Sequence, residues 1–170
     1  LRETALALTS SLDLDDAIQQ ILEQLARVLP YDSAGVQILK DGYIVCIGGR
    51  GWENPEAVMK IQFPIPGNNP NSKVISEKKV VILKDALQAH APFGDAPHSH
   101  IQSWMGVPMI FRNKVIGMLA VDSKETNYFD ESSAKLAQTF ATQAAIAIEN
   151  ARLFDEERKR LKEAETLRQA

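Results

Sequence analysis

Three histidines, His90, His98 and His100, are the residues of this chain whose type and spacing could bind a metal. In an extended segment, His98 and His100 would present two imidazoles on one side of the backbone. A third ligand at matching spacing is not evident, because Asp85 and Asp95 are the only carboxylates close to them in sequence. Haem ligation has no specific signature here either. The sequence therefore favours surface histidines in a loop over a metal site, and it names no cofactor.

The single cysteine, Cys46, and the glycine-rich segment that follows it could also carry chemistry. Cys46 lies in an apolar, strand-like run, where a small buried and inert thiol is the usual case. The segment 48–51, Gly-Gly-Arg-Gly, lacks the Lys-Ser/Thr ending and the glycine spacing of nucleotide-binding loops. We interpret it as a bend between strands. One cysteine permits no internal disulfide and no cysteine-based metal cluster, which fits a reducing cytoplasm.

Length and composition are typical of one globular domain. The chain has 170 residues, of which 45% are hydrophobic and 24% charged, with a net charge of −3. A net negative charge gives no support for nucleic-acid binding. No apolar run reaches the ~18 residues that a membrane span requires. The chain starts at Leu1 without a signal-like segment, and we expect it to be a piece of a longer protein.

A central hairpin must position these residues. Two apolar runs, Gly106–Phe111 and Val115–Val121, are separated only by residues 112–114, which predicts a β-hairpin. Neither run alternates with polar residues, so we expect both faces of this sheet to be covered. Gly117 predicts a close approach by another element, and Pro108 predicts an interrupted or unpaired position.

The remaining segments predict a mixed order of helices and strands. The predicted elements are a weak helical start at residues 1–10, a helix capped by Asp13 and running over 14–29, a hairpin of strands 33–39 and 43–47, a strand at 58–63, a helix at 72–78, a strand at 80–83 and a partly ordered lid at 84–102.

The C-terminal region predicts one long helix, capped by Asp130 and continuing to Ala170 without Pro or Gly. At 1.5 Å per residue it spans roughly 55 Å, whereas a globule of this chain length is about 40 Å across. The helix should therefore project from its domain. Four residues repeat every seven positions, which is the period of a coiled-coil seam: Phe140, Ala147, Phe154 and Leu161. The alternative is a single solvated helix, which its charged run DEERKRLKEAE favours.

The chain resembles the GAF domain, a small-molecule sensor module of signalling proteins. The resemblance is carried by SWMGVPM at 103–109, VIGML at 115–119, Phe129 and ATQAAIAIENARLF at 141–154. It implies an α+β fold: an antiparallel sheet of five or six strands, with the N- and C-terminal helices on one face and a short helix plus the lid loop on the other. We expect residues 1–154 to form the GAF-like domain and residues 155–170 to begin a projecting signalling helix.

Several ligand classes of that family fit this sequence poorly. The cyclic-nucleotide branch has an Asn-Lys pair, a Phe and then Asp-Glu. Lys124 and Phe129 match that pattern, but Ser123 takes the Asn position and the closing pair falls on Ser133 and Ala134. The bilin-carrying branch often uses a cysteine in or near the lid, and this lid has none. The branch that reduces free methionine sulfoxide needs several cysteines around its pocket.

We expect a regulatory, non-enzymatic domain that binds an unidentified small molecule and signals through a homodimer of its terminal helices. The alternative is a dimerisation and relay module whose pocket is filled by side chains. The residues expected to border one cavity are Trp52, Phe93, His98, His100 and Trp104, with Cys46 at its floor. Trp104 is the strongest candidate, because it adjoins both the lid and the central strand.

Overall fold

The computed structural model describes residues 11–169, with side chains from residue 13 onward, so the predicted helical start at 1–10 lies outside it. The elements are α1 (Ser11–Val28), β1 (Ser33–Lys40), β2 (Tyr43–Arg50), α2 (Pro55–Met59), β3 (Gln62–Pro64), α3 (Pro70–Glu77), β4 (Val81–Leu83), α4 (Ala86–Ala89), a 3₁₀ turn (Ala91–Gly94), β5 (Ser103–Phe111), β6 (Lys114–Ser123) and α5 (Glu131–Gln169).

The strands form one six-stranded antiparallel sheet with the order β3-β2-β1-β6-β5-β4. The predicted α+β fold is confirmed, and the β5–β6 hairpin lies in the inner part of the sheet. Gly117 is a point of close approach as predicted, because a Cβ there would lie 2.0 Å from the Gln37 backbone oxygen. Pro108 is tolerated because β4 pairs only with Trp104 to Gly106, so β5 has a neighbour on one side alone at Pro108.

Both faces of the sheet are covered, which explains why the strands lack polar alternation. On one face, which we call the helix face, α1 and α5 pack against alternate residues of β5 and β6 such as Met105, Val107 and Leu119. On the other, the lid face, α3 and residues 84–102 pack against Trp104, Met118 and others. The same strands therefore supply two separate hydrophobic cores.

The predicted strand at 58–63 is wrong in its first half. Residues Pro55–Met59 form the short helix α2, and only Gln62–Pro64 form a strand. The cause is local capping, since Asn54 Oδ1 accepts the Ala57 N–H at 3.2 Å and proline occupies the first helical turn.

Two other local predictions need correction. Residues 48–50 are not a bend, because they continue β2 and pair with β1 past a bulge at Val36/Gln37. The chain first bends at Gly51, directly after the strand, where φ is +84°. Asp13 lies within the first turn of α1 rather than at its N-cap.

The long helix α5 contains 39 residues, and Asp130 caps it as predicted. Asp130 Oδ1 accepts the Ser133 N–H at 2.9 Å, and Ser133 Oγ accepts the Asp130 N–H at 3.1 Å. Every described side chain from 155 to 169 is exposed. No helix among the described residues combines the length and the apolar character that crossing a lipid bilayer demands.

Candidate functional site

A cavity of about 70 Å³ lies on the lid face, between the sheet and residues 90–101. Five of the six predicted site residues line it: Cys46, Trp52, Phe93, His98 and Trp104. His100, the sixth, is not part of the lining, so its prediction as a border residue needs correction. The cavity is smaller than the 300–1,000 Å³ of ordinary ligand pockets, and any but the smallest ligand would need the lid to move.

Trp52 is held between the end of β2 and the lid. Its indole Nε1–H donates to the Ala34 carbonyl oxygen at 2.9 Å. Gly49 leaves room for the ring, because a Cβ there would lie 3.0 Å from Trp52 Cδ1. The edges of His98 and His100 meet the indole, with ring centroids 5.7 and 5.3 Å from it. The glycine-rich segment therefore serves to seat an aromatic wall of the cavity.

Phe93 and Trp104 form another wall, one from the 3₁₀ turn of the lid and one from β5. Their ring centroids are 6.2 Å apart, and both side chains are buried. Within the lid, the Asp85 carboxylate caps α4 by accepting the Gln88 N–H at 3.3 Å. Because Phe93 belongs to the lid, its part of the aromatic wall moves only if the lid does.

Cys46 and His98 are both half or more buried within this lining. The Cys46 thiol donates to the Gly48 carbonyl oxygen at 3.4 Å, and burial raises its pKa, so the thiolate is disfavoured. Burial also lowers the pKa of His98, which favours the neutral imidazole at neutral pH. All three histidines are partly buried rather than fully exposed, which corrects the prediction of surface histidines. Among the described residues, no group of three or more His, Cys, Asp or Glu is placed to hold a metal ion.

His100 joins the lid to the sheet through a polar chain. His100 Nε2 lies 2.8 Å from Ser33 Oγ, and the Ser33 hydroxyl donates to Asp122 Oδ2 at 2.7 Å. Burial lowers the pKa of His100, and Lys124 adds to the effect. Serine occupies the middle of the chain, so this is not a Ser–His–Asp triad, in which histidine lies between the other two.

Asp122 is the main residue that the sequence predictions missed. It is 1% exposed and lines the cavity, yet its Oδ1 atom has no hydrogen-bond partner among the described residues. Burial raises the pKa of Asp122 to about 7, against the lowering effect of the Ser33 hydroxyl. An unpartnered buried polar atom costs about 1–3 kcal/mol. A lone carboxylate at the end of the apolar run VIGMLAV was the signal that could have revealed it.

Gln37 is the second missed residue. It interrupts the otherwise apolar strand β1, lines the cavity, and leaves Oε1 buried without a partner in the described part of the chain. Two residues that line this cavity therefore each have a buried oxygen without a partner among the described residues, in a lining that is mainly aromatic and aliphatic and also includes the polar residue Asn71. This combination of an apolar hollow and a few polar groups is typical of small-molecule sites.

A comparison with known families agrees with this architecture. The family model described as "GAF domain" matches residues 11–149. The chain belongs to the GAF family. The resemblance noted in the sequence is therefore confirmed.

Several solved structures share the GAF fold at low sequence identity. The GAF domain of an Acinetobacter phosphoenolpyruvate-protein phosphotransferase is 23% identical, with a TM-score of 0.73, covering 89% of this chain and 92% of its own. A fragment of a methyl-accepting chemotaxis protein is 19% identical, with a TM-score of 0.67, covering 86% and 94%. GAF domains of this fold thus occur in signalling proteins.

Another structure of this fold is an enzyme. The type II free methionine-R-sulfoxide reductase of Thermoplasma acidophilum is 19% identical, with a TM-score of 0.67, and the match covers 79% of this chain and 92% of that one. At this level of identity the likeness shows the fold alone. Function must therefore be argued from the residues of this cavity.

Proposed function

We propose that this GAF domain is the regulatory, ligand-sensing part of a larger cytoplasmic signal-transduction protein. It binds a small molecule beneath the lid and relays binding through a dimeric C-terminal helix to an output domain, without catalysis of its own. One observation carries the proposal: an aromatic-walled cavity is lined by Asp122 and Gln37, each of which has a buried oxygen without a partner among the described residues.

The absence of catalysis is inferred from the residues at the cavity. The chain has one cysteine, so it cannot supply both an attacking and a resolving thiol from its own residues. The Cys46 thiol is buried and its pKa is raised, which disfavours the reactive thiolate. Ser33 is fully buried. Its hydroxyl donates to the Asp122 carboxylate and not to His100, so the histidine is not placed to take the proton of a serine nucleophile. These features support binding rather than chemistry.

Strand β5 offers a route from the cavity to α5. Trp104 faces the cavity, whereas its neighbour Met105 points to the helix face and belongs to the same core as Ala137 and Ala141 of α5. Because alanine side chains are small, α5 packs close to the sheet. A shift of β5 would therefore move α5 directly. A ligand that displaces Trp104 would thereby favour one position of the helix over another.

The projecting helix carries apolar side chains that would gain from a partner. Leu153 is 47% exposed and Leu161 62% exposed, while Phe154 is half-buried with the Arg158 guanidinium 5.9 Å from its ring centroid. Fully burying a side chain of this kind is worth roughly 1.5–3 kcal/mol. The same helix of a second copy, related by a two-fold axis, is the partner we propose.

The dimer is tested by replacing Phe154 and Leu161 together with glutamate. We expect monomers with an unchanged circular dichroism spectrum, because both positions lie at or beyond the edge of the domain. Leu87→Glu, at an exposed position of α4 outside the terminal helix, should leave the dimer intact. Sedimentation of the wild type as a monomer at ~1 μM, where an association of about 8 kcal/mol is half complete, would rule out this dimer.

A filled relay module remains the second candidate, and the small cavity volume of about 70 Å³ favours it. In that case Phe93 and Trp104 would serve as packing alone. Mass spectrometry of small molecules released from the purified protein separates the two candidates. Ala120, which lines the cavity, offers a matched variant: Ala120→Leu should fill the space and abolish the released compound. If neither protein releases a compound in stoichiometric amount, the relay candidate replaces the sensor.

A further inference from the structure

Two residues that line the cavity each have an unpartnered oxygen that can accept a hydrogen bond. Asp122 Oδ1 and Gln37 Oε1 are buried and receive no hydrogen bond from the described residues. The other carboxylate oxygen of Asp122 is already engaged by the Ser33 hydroxyl at 2.7 Å, which fixes the orientation of the carboxyl group. The ionised carboxyl group is an acceptor only, so a ligand that pairs with it in this form brings N–H or O–H donors.

The charge of the lining selects among such donors. Asp122 is the only acidic residue that lines the cavity, and the described lining includes no Lys or Arg. Its histidines are His90 and His98, and burial lowers the pKa of the latter, which disfavours a positive charge there. A phosphate or carboxylate ligand would meet a buried carboxyl group without a compensating cation, so anions are disfavoured.

The aromatic walls favour a cationic ligand, as the carboxylate does. Trp52, Phe93 and Trp104 all line the cavity, and the faces of such rings attract cations. Burial raises the pKa of Asp122 to about 7, so the free domain resists ionising this group at neutral pH. A cation placed beside it would offset that resistance, whereas a neutral ligand would not.

On the basis of the proposed function of this cavity as a ligand site, we propose that its ligand class is small organic cations with N–H donors, such as protonated amines or guanidinium groups. The nitrogen donates to Asp122 Oδ1, and the apolar part lies against Trp52, Phe93 and Trp104. Gln37 pairs with Met118 on β6, four residues before Asp122, so its Oε1 accepts a second donor from a longer member of the class.

The two tryptophans of the chain provide the test, because both line the cavity. Their two indole N–H signals are followed by NMR during titration with four probes: ethylammonium, guanidinium, tetramethylammonium and acetate. Ethylammonium and guanidinium should shift these signals in a saturable way at millimolar concentrations, as expected for so few atoms. Tetramethylammonium, a cation without an N–H group, and acetate should bind at least about tenfold more weakly.

Two variants assign the effect to the carboxyl group. Asp122→Asn keeps the shape and removes the charge, and it should weaken ethylammonium binding about tenfold or more. Asp41→Asn removes the same charge at an exposed turn and should bind as the wild type does. If Asp122→Asn does not fold, the comparison of ethylammonium with acetate on the wild type still tests whether the cavity prefers cations to anions.

The outcomes separate this inference from the proposed function. Equal or stronger shifts with acetate or tetramethylammonium, or unchanged ethylammonium binding in Asp122→Asn, would overturn the cationic class while leaving the cavity as a binding site. A lack of response to all four probes would also overturn the class. The proposed function as a ligand sensor is tested separately, because it fails if the protein releases no small molecule in the mass spectrometry experiment.

Discussion

The two faces of the sheet differ in how completely their side chains are satisfied. On the helix face, Ile18, Leu22 and Leu25 of α1 are fully buried against aliphatic strand residues and the alanines of α5. On the lid face, large aromatic rings surround a cavity, and two buried oxygens lack partners among the described residues. The same strands supply both faces, so the difference does not come from the backbone.

This difference indicates which face maintains the fold and which face can recognise a ligand. A filled aliphatic core has no donor or acceptor to offer, and each methylene in it adds stability. The carboxyl group of Asp122 lowers stability where it stands, because it is desolvated and only half hydrogen-bonded. Such a group is explained by a ligand that completes its hydrogen bonds, and three sets of substitutions can break or sharpen this contrast.

The largest effect is expected on the helix face. Leu22→Ala should lower the free energy of unfolding by about 2–5 kcal/mol, because it removes a fully buried side chain from a filled core. Leu39→Ala is the matched change on the lid face, where this leucine is only partly buried, and it should cost clearly less. Urea denaturation measures both. Equal losses would mean that the two faces are packed alike.

The next effect concerns the pH dependence of stability. The pKa of Asp122 is raised from 3.8 to about 7 in the folded protein, so between these values the folded state binds a proton that the unfolded state has released. Its contribution to stability is therefore present at low pH and is lost as pH rises from about 4 to 7. The full loss is about 4 kcal/mol at 1.36 kcal/mol per pKa unit.

Asp122→Asn should remove this dependence and make the protein more stable than the wild type at pH 8, as measured by denaturant unfolding at several pH values. Ser33 and Asp32 act directly on Asp122, His100 contacts Ser33, and Cys46 and His98 line the same cavity. The other groups titrate in both proteins, so the difference in unfolding free energy between variant and wild type reports on Asp122. A difference that stays constant between pH 4 and pH 8 would contradict the buried, unpaired carboxyl group.

The smallest effect compares two neighbouring residues of β1. Gly35 lines the cavity, and a Cβ there would meet Cys46 Sγ at 3.5 Å, an ordinary contact. Gly35→Ala should therefore raise the unfolding free energy by about 0.4–1 kcal/mol. Ala34 is buried on the helix face, and Ala34→Gly should lower the unfolding free energy by about 0.5–1 kcal/mol. Thermal unfolding checks both, and a destabilised Gly35→Ala would mean that no space exists beside Cys46.

The helix face could be predicted from the sequence more fully than the lid face. Helical spacing from Leu14 to Leu29, the hairpin turns and the Asp130 cap are local signals, and each matched the structure closely. Phe93 and Trp104 could be grouped because one lies in the irregular segment 84–102 and the other just after it. Asp122 could not be placed, because the direction of a strand residue depends on register, and a shift of one position would have turned it to the helix face.

Local capping and tertiary contacts explain the remaining errors. Asn54 converts an apolar stretch that looks like a strand into α2, and its effect rests on a hydrogen bond rather than on hydrophobic spacing. His98 and His100 lie in a polar, turn-rich segment, which predicts exposure. Their contacts with Trp52 come from a residue more than 40 positions away, and no local pattern contains that information.

Amide hydrogen exchange of the lid tests most directly whether the lid face is an accessible ligand site. The amides of Phe93, His98 and Ile101 donate only to carbonyls within the lid, at 2.9–3.1 Å, so they can open without disrupting the sheet. We predict that they exchange through a local opening at least about 3 kcal/mol below global unfolding, roughly 100-fold faster than the amides of Leu22 and Leu25. Exchange of the lid amides only upon global unfolding would contradict the account, because the cavity would then be closed to any ligand.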